Sequence, residues 1–257
     1  MRTVAVHRDA IVITSLMWQT NAVALRTGDE AMLIDSPYYP EELEALSGIL
    51  AGAGFTPDAL IATHADFDHL LGRVAFPGLA LGLAESSAMR LQAEPGAAQR
   101  ELRDKDAELY VERAKPLALG EVQALPVPGS VELGDVELEL YPAEGHTPDG
   151  MAVFARWCGV LCVGDYLSRV EVPWISRGGS LADYRATLAR LAPLVEAAET
   201  VVPGHGAPHD QDTALRLLEE DSEYLDALER GEEKIRLPEG RATKEQQGIH
   251  AENLTRV

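Results

Sequence analysis

The chain has little cysteine, little positive charge and no long apolar run. Its 257 residues include two cysteines, too few for a scaffold held by several disulfides or for a structural zinc site of four cysteines. The 22 lysines and arginines are outnumbered by 42 aspartates and glutamates, and the resulting net charge of −20 repels phosphate backbones. The sequence therefore excludes a disulfide scaffold and argues against a nucleic-acid partner.

The apolar residues are spread over short segments. The first run, from Ala10 to Trp18, is too short to span a bilayer and lacks a small-residue cleavage site after it. We therefore expect a cytoplasmic protein with neither a membrane partner nor a targeting segment. The length and the apolar content of 46% are those of a globular chain that buries a sizeable core.

Alternating strand and helix patterns predict an α/β protein. Apolar or β-rich runs predict strands at 10–16, 21–25, 31–35, 59–63, 121–127, 136–141, 151–155, 160–163 and 200–202. Helical spacing predicts helices at 40–52, within 85–115 with a break near Pro95, after a capping motif at Ser180, and at 212–230. Since no repeat or long linker is visible, we predict one domain over 1–257, with its core at about 10–210 and a C-terminal helix and tail at about 211–257.

Four of the predicted strands lead into residues that can bind a metal. These segments are His64-Ala-Asp66-Phe-Asp68-His69, Glu144-Gly-His146-Thr-Pro, Gly164-Asp165 and Pro203-Gly-His205-Gly206. Open α/β sheets place ligands at the carboxyl ends of their strands, so the four segments are expected to converge. His64 and Asp66 are two residues apart and point the same way on an extended chain, whereas Asp68 and His69 follow where the chain turns and can face a second metal.

Each segment also has a simpler interpretation. Gly-His-Gly and Gly-Asp are common in loops, and the first segment alone could be a solvated turn. Two carboxylates and two imidazoles within six residues are, however, the ligand types that a divalent cation gathers. The four segments in this order therefore favour a metal centre.

The order of these motifs resembles that of the metallo-β-lactamase fold superfamily. Its pattern is His-x-His-x-Asp-His, then a His in Gly-His-Thr, then an Asp, then a His, and the match covers about residues 10–210. The resemblance implies a four-layer αββα sandwich with the site along one edge of the two sheets. It also implies a first metal held by His64, His146 and the residue at 66, and a second held by Asp68, His69 and His205, with Asp165 bridging both. Asp35 matches an early aspartate at a strand end that supports the site.

Position 66 departs from this pattern, because it is Asp where the superfamily usually has His. Asp is shorter than His and carries a charge, so the ligand set holds three carboxylates and four imidazoles. This composition moves the site toward harder cations. We predict two divalent ions, with zinc expected and iron or manganese as the alternatives that Asp66 favours. Asp66 either ligates directly or is too short and holds a water.

The resemblance implies hydrolysis by a metal-activated water. A water between two divalent ions has its pKa lowered to about 7 and becomes a nucleophile at neutral pH. Asp68 would orient this water or accept its proton, and the chain has no Gly-x-Ser-x-Gly elbow for a serine nucleophile. We predict a dinuclear hydrolase of a small ester, thioester or lactone, similar to glyoxalase-II-like enzymes.

Two other functions stay open at this point. Some superfamily members use one iron to oxidise persulfides, and Asp66 makes an iron-dependent persulfide-type dioxygenase more credible. A non-catalytic metal-holding domain is the other alternative. An intact second site favours two metals and hence the hydrolase. The partner would be a small molecule, and the apolar face of the helix within 212–234 serves either the core or a homodimer.

Three further residues and one segment have structural alternatives. Tyr166 follows Asp165 and is a candidate to polarise a substrate carbonyl, with packing as the alternative. Cys158 and Cys162 are predicted to be buried free thiols. The charged tail contains His250, and one hypothesis is that the tail folds back over the site.

Overall fold

Two β-sheets form the centre of the computed structural model, which describes residues 1–232 and 235–257. The first sheet pairs seven strands in chain order: β1 (Arg2–His7), β2 (Ala10–Thr14), β3 (Asn21–Thr27), β4 (Glu30–Asp35), β5 (Pro57–Ile61), β6 (Ala80–Ala84) and β7 (Val122–Leu125). The second sheet has six strands: β8 (Gly129–Leu133), β9 (Val136–Pro142), β10 (Met151–Ala155), β11 (Val160–Cys162), β12 (Thr200–Val202) and β13 (His209–Asp210). They also pair in chain order, with β11 and β12 parallel.

Helices cover the outer faces of both sheets. They are α1 (Pro40–Gly52), α2 (Gly72–Ala75), α3 (Glu85–Ala93), α4 (Ala97–Leu109), α5 (Leu181–Ala197), α6 (Gln211–Glu229) and α7 (Lys244–Asn253). Residues of α1 and α4 pack on the first sheet, and residues of α5 and α6 pack on the second. Across residues 1–232 and 235–257, no helix is long and apolar enough to cross a bilayer.

The side-chain alternation of the strands separates the layers. In β3, Val23 and Leu25 join Leu138 of β9 in a cluster shared by the two sheets. Ala22 and Ala24 point the other way, into the cluster that contains the apolar residues of α1. This alternation follows from the period of two residues in an extended strand. The result is a four-layer αββα sandwich, which confirms the predicted fold class.

Most predicted elements are present, and the differences have physical reasons. The helix at 40–52 and the strand at 200–202 have the predicted bounds, and the Ser180 side chain caps α5 by accepting a hydrogen bond from Asp183 N. Strands β1, β6, β8 and β13 and helices α2 and α7 have no counterpart among the predicted ranges. β6 has a central glycine, β8 is a mostly exposed edge strand, and β13 has two residues, so their apolar patterns are weak.

The two cysteines are buried and unpaired, as predicted. Burial raises the pKa of Cys158 to about 11 and the pKa of Cys162 well above its ordinary value. Both thiols are therefore protonated at neutral pH. They serve as small apolar residues, Cys158 in the tight connection between β10 and β11 and Cys162 at the end of β11.

A histidine joins the edge strand β13 to the loop after β11. The ring of His209 is buried, and its Nε2 lies 3.1 Å from the carbonyl oxygen of Leu167. Burial and the charges of Arg169 and Arg241 lower the pKa of His209 to about 4, although the bond to Leu167 and the charge of Asp210 act in the opposite direction. The folded protein therefore holds this ring neutral through the range in which an exposed histidine gains a proton.

We predict that His209 makes the protein less stable in mild acid. The unfolded chain binds this proton with a pKa near 6.5 and the folded chain with a pKa of about 4. Between these values the unfolded state holds more protons, so the free energy of unfolding falls as the pH falls, by up to about 3 kcal/mol from this residue. Urea denaturation from pH 7 to pH 4 should show a smaller fall for His209→Gln, whose amide still donates to Leu167. Equal falls in the free energy of unfolding of both proteins would refute the assignment of this pH dependence to His209.

Candidate metal centre

All seven predicted metal ligands meet at one edge of the sandwich, where strands of both sheets end. His64, Asp66, Asp68 and His69 follow β5 of the first sheet. His146, Asp165 and His205 follow β9, β11 and β12 of the second sheet. Their ligand atoms form overlapping groups, and the atoms of each group lie within 4.8 Å of one another. The convergence inferred from the strand ends is therefore present in the structure.

The first donor set consists of His64, Asp66, His146 and one oxygen of Asp165. Asp66 Oδ2 lies 3.7 Å from the Nε2 atoms of both His64 and His146. Asp165 Oδ2 lies 3.7 Å from His64 Nε2 and 3.2 Å from His146 Nε2. Two imidazole nitrogens and two carboxylate oxygens thus surround one point.

The second donor set consists of Asp68, His69, His205 and the other oxygen of Asp165. Asp68 Oδ2 lies 3.7 Å from His69 Nε2 and 3.4 Å from His205 Nε2. Asp165 Oδ1 lies 3.2 Å from His69 Nε2 and 3.4 Å from His205 Nε2. A tetrahedral ion with bonds of about 2.0–2.2 Å places its donor atoms about 3.3–3.6 Å apart. Both sets have spacings close to that geometry.

Each histidine is oriented by a partner on its other ring nitrogen. Asp35 Oδ2 lies 3.0 Å from His69 Nδ1, and Thr63 Oγ1 lies 3.2 Å from His64 Nδ1. The backbone carbonyl of Trp174 lies 2.8 Å from His146 Nδ1, and that of Trp18 lies 3.3 Å from His205 Nδ1. Such outer hydrogen bonds fix the ring orientation and leave Nε2 for a metal.

Asp35 has the supporting position that the resemblance implies. Its carboxylate accepts hydrogen bonds from the Thr63 amide at 2.7 Å and the Thr63 hydroxyl at 2.9 Å, in addition to its contact with His69. Asp35 adopts a φ of +55°, a left-handed conformation that is uncommon for a residue with a side chain. The strand end is therefore strained in a way that turns this carboxylate toward the site.

Several buried polar atoms of the donor sets have no hydrogen-bond partner among the described residues. Four of them face the candidate ion positions, namely the Nε2 atoms of His64, His69 and His146 and the Oδ1 atom of Asp165, whereas the fifth, Asp66 Oδ1, faces Arg90 in an ion pair. A buried polar atom without a partner costs about 1–3 kcal/mol, so their clustering at one point needs an explanation. A divalent cation in each set would satisfy the four atoms that face the candidate ion positions, and the residues present therefore fit a pair of divalent ions.

Asp66 is held by an arginine that the sequence analysis did not single out. Arg90 Nη1 lies 2.8 Å from Asp66 Oδ1 and 2.8 Å from Asp149 Oδ1. Asp149 is itself fixed, because its other oxygen accepts a hydrogen bond from Ala65 N at 2.9 Å. Arg90 thus engages one oxygen of Asp66, while the other oxygen points at His64 and His146. This orientation is the one that direct ligation requires.

The ionisation of the site follows from its buried charges. Burial raises the pKa of Asp66, but its contacts with His146, His64 and Arg90 hold that pKa well below its ordinary value. Burial lowers the pKa of His205, but the charges of Glu171 and Asp165 raise it to about 10. Without a metal the carboxylates of Asp66 and Asp165 are therefore ionised, and the imidazoles of His69, His146 and His205 carry protons that an entering cation must displace.

The expectation that Tyr166 contacts a substrate is not supported. Its side chain is buried, and its hydroxyl donates to the Glu144 carbonyl oxygen at 2.7 Å and accepts from His146 N at 3.1 Å. Both hydrogen bonds use the backbone beside His146. Tyr166 therefore supports the loop that carries a candidate ligand, as the packing alternative had it.

Glu171 lies beside the second donor set, and His250 lies away from both donor sets. An oxygen of Glu171 lies within 4.8 Å of ligand atoms of Asp165 and His205, and burial raises the pKa of Glu171 to about 7. Glu171 belongs to no spaced motif, so the sequence contains no signal for it. His250 lies in α7 and its Nδ1 is 3.0 Å from the Tyr224 hydroxyl, so it contacts α6 and not the donor sets.

Gly204 lies where a side chain would enter the centre. A Cβ atom at this position would be 2.1 Å from Asp165 Oδ1 and 2.9 Å from His69 Cε1. Both atoms are held by the surrounding contacts, so the shared carboxylate and the second donor set would have to move. The glycine is therefore required by close approach of the backbone.

We predict that Gly204→Ala removes at least the second metal. If the wild type holds two equivalents of metal after dialysis, as the two donor sets predict, elemental analysis of the variant should give one equivalent or fewer, while its circular dichroism spectrum stays that of the wild type. Gly48→Ala is the matched control, because its Cβ would have no atom within 4 Å and it lies in α1. Two retained equivalents in Gly204→Ala would contradict the proposed place of the second ion.

Comparison with known proteins agrees with this geometry. The sequence model of the metallo-beta-lactamase superfamily matches residues 17–205. The acyl-coenzyme A thioesterase MBLAC2 of Gallus gallus is 29% identical over 178 residues, which are 65% of this chain and 63% of that protein, so the chain spans less than two thirds of this relative.

Two solved structures share the fold. The metallo-beta-lactamase family protein TTHA1429 from Thermus thermophilus has a TM-score of 0.69 at 21% identity, over 88% of this chain and 83% of that one. The structure of TTHA1623 in a di-iron-bound form has a TM-score of 0.63 at 25% identity, over 80% of this chain and 97% of that one. The family match, the sandwich and the paired donor sets together lead to one conclusion: this chain belongs to the metallo-beta-lactamase superfamily.

Proposed function

We propose that the chain is a dinuclear metal-dependent hydrolase that acts on a small ester, thioester or lactone. The observation that carries the proposal is the carboxylate of Asp165, whose two oxygens lie 3.2–3.7 Å from imidazole nitrogens of two separate donor sets. A shared carboxylate between two complete sets is the arrangement needed to hold two ions close together. One water between such ions is a nucleophile at neutral pH.

The proposed ligands follow the two donor sets. The first ion would be held by His64, Asp66 and His146, the second by Asp68, His69 and His205, with Asp165 bridging. We propose zinc as the expected ion. The carboxylate at position 66 keeps iron or manganese as alternatives, and the di-iron form of one structural relative is consistent with iron. Bound ions would supply an activated water and positive charge for the oxyanion that develops on the substrate.

The residues of the chain would orient the reaction. Asp68 is held through its backbone carbonyl, which accepts a hydrogen bond from the Ser36 hydroxyl at 3.2 Å, and its carboxylate would orient the attacking water or take its proton. Aromatic rings flank both sets: Trp18 lies 6.5 Å from His205 and Trp174 lies 5.4 Å from His146, between ring centroids. These rings would exclude water and pack against the apolar part of an acyl substrate.

The acyl substrate class is supported by the comparison and by charge. The curated relative is named as an acyl-coenzyme A thioesterase, although the match covers 63% of it. The net charge of −20 opposes a large polyanionic substrate, so a small molecule is the proposed partner. The persulfide dioxygenase alternative needs one iron, and the completeness of the second donor set favours hydrolysis over it.

We predict that Asp68→Asn lowers turnover by about 100-fold or more, because positioned proton acceptors contribute factors of that size. Wild-type and variant proteins with measured metal content would be assayed on a panel of esters, thioesters and lactones. Asp104→Asn is the matched control, since Asp104 is exposed on α4. Wild-type turnover by Asp68→Asn would refute the role of Asp68, and no turnover by fully loaded wild type on the whole panel would refute the hydrolase proposal.

We predict that Asp66→His raises the zinc affinity of the first donor set. Imidazole is a better zinc ligand than a single carboxylate oxygen that is also paired with Arg90, and His reaches further than Asp. Competition with a chromophoric chelator measures the affinity of each equivalent. An unchanged or weaker affinity would show that position 66 does not contact the first ion.

A further inference from the structure

We propose that helix α7 is a positioning element of the metal centre, which acts on the first donor set through the side chains of Gln246 and Asn253. The proposal rests on the proposed function in one respect, that His146 binds a metal. The superfamily match ends at residue 205, so α7 lies beyond the part of the chain that carries the motifs. Its contribution is thus a property of this chain that the motifs do not contain.

The first step is the contact between α7 and the segment 172–176, which we name the Trp174 loop. Gln246 Oε1 accepts a hydrogen bond from Val172 N at 2.8 Å, and Asn253 Oδ1 accepts one from Ile175 N at 2.9 Å. Asn253 Nδ2 donates to the Pro173 carbonyl oxygen at 2.7 Å. The loop is neither helix nor strand, so these two side chains satisfy backbone groups that no sheet or helix partner serves.

The two amide side chains are themselves buried. Gln246 is 3% exposed and Asn253 is fully buried. Asn253 Nδ2 also donates to the Tyr224 hydroxyl at 2.9 Å, which connects α7 to α6. The loop is therefore attached to a fixed helix and not to a free tail.

The second step leads from the Trp174 loop to a candidate ligand. The Trp174 carbonyl oxygen lies 2.8 Å from His146 Nδ1, and Ser176 N donates to the His146 carbonyl oxygen at 2.9 Å. The loop thus holds both the ring and the backbone of His146. A displacement of the loop would turn the ring and move Nε2 away from Asp66 and Asp165, with which it forms the first donor set.

Helix α7 also contacts the two tryptophans that flank the donor sets. Glu252 accepts a hydrogen bond from Trp174 Nε1 at 3.2 Å, and Glu245 accepts one from Trp18 Nε1 at 2.9 Å. These bonds are exposed and contribute less than the buried amides. They place α7 across both aromatic rings that flank the centre, and they agree with its role as the outer support of the site.

The contacts of α7 with the Trp174 loop are hydrogen bonds, and they are distinct from its apolar contacts with the core. Its buried residues are Gln246 and Asn253, while Ile249 and Leu254 are partly buried against the cluster of α5 and α6. Changing an amide therefore leaves the apolar contacts of the helix in place. Loss of an outer hydrogen bond to a metal-binding histidine weakens metal affinity by about 10–100-fold, and a comparable loss is expected here.

The test uses metal-free full-length protein titrated with zinc against a chromophoric chelator. We expect wild type to bind two ions, and Asn253→Ala and Gln246→Leu to weaken one of them by about 10–100-fold. Gln246→Glu keeps an oxygen that accepts from Val172 N and should bind zinc more tightly than Gln246→Leu. Gln247→Leu is the matched control, because Gln247 is an exposed residue of the same helix.

A second background separates positioning from general damage. His146→Ala lacks a ligand of the first ion, so adding Asn253→Ala to it should leave the affinity of the remaining ion unchanged. A loss in that background would mean that α7 acts on the whole fold, and it would overturn the proposal. If Asn253→Ala does not fold, the comparison of Gln246→Leu with Gln246→Glu decides the question.

The failures of the two proposals can be distinguished. Wild type that binds two zinc ions, with folded Gln246→Leu and Asn253→Ala binding both equally well, overturns the role of α7 alone. Wild type that binds no zinc is titrated with iron(II) and manganese(II) as well, and wild type that binds none of the three ions overturns the metal centre and the role of α7 together. Thermal unfolding of each variant confirms that the titrated protein is folded.

Discussion

The arrangement of the site depends on one buried carboxylate, that of Asp165. Four imidazoles surround it, and their charges hold its pKa well below the ordinary value although burial acts to raise it. Its position is set by the backbone on both sides: Gly164 has a φ of +59°, and the Gly204 amide donates to the Gly164 carbonyl oxygen at 2.6 Å. An ionised group in such a place requires nearby positive charge, and this requirement accounts for the donor sets on either side of it.

The seven candidate ligands could be identified from the sequence because each follows a strand with a clear apolar pattern. Strands 59–63 and 200–202 are short and mostly apolar, and the carboxyl ends of such strands lie at one edge of a sheet. The role of each ligand came from the resemblance, since spacing alone does not say which histidine shares an ion with which. The helix at 40–52 was predicted to the residue because apolar spacing, an initial proline and terminal glycines agree.

The residues that support the candidate ligands could not be identified from the sequence in this way. Arg90 contacts Asp66 and Asp149, which lie in different segments of the chain, and a single charged residue in a helix or loop is usually solvated. Helix α7 has no strong apolar face, because its buried contacts are two amides that bond to the backbone of a distant loop. Pattern analysis detects apolar periodicity, and interactions between polar side chains and irregular backbone leave no periodicity to detect.

Each donor set takes residues from both sheets: the first joins His64 and Asp66 to His146, and the second joins Asp68 and His69 to His205. The sheets otherwise meet through an apolar cluster, whose attraction has no preferred direction. An ion in either set would be a directional cross-link between the two halves of the sandwich, formed only in the folded state. By mass action such an ion stabilises the folded protein, so the supply of metal would govern how long the chain survives unfolding and degradation as well as its chemistry.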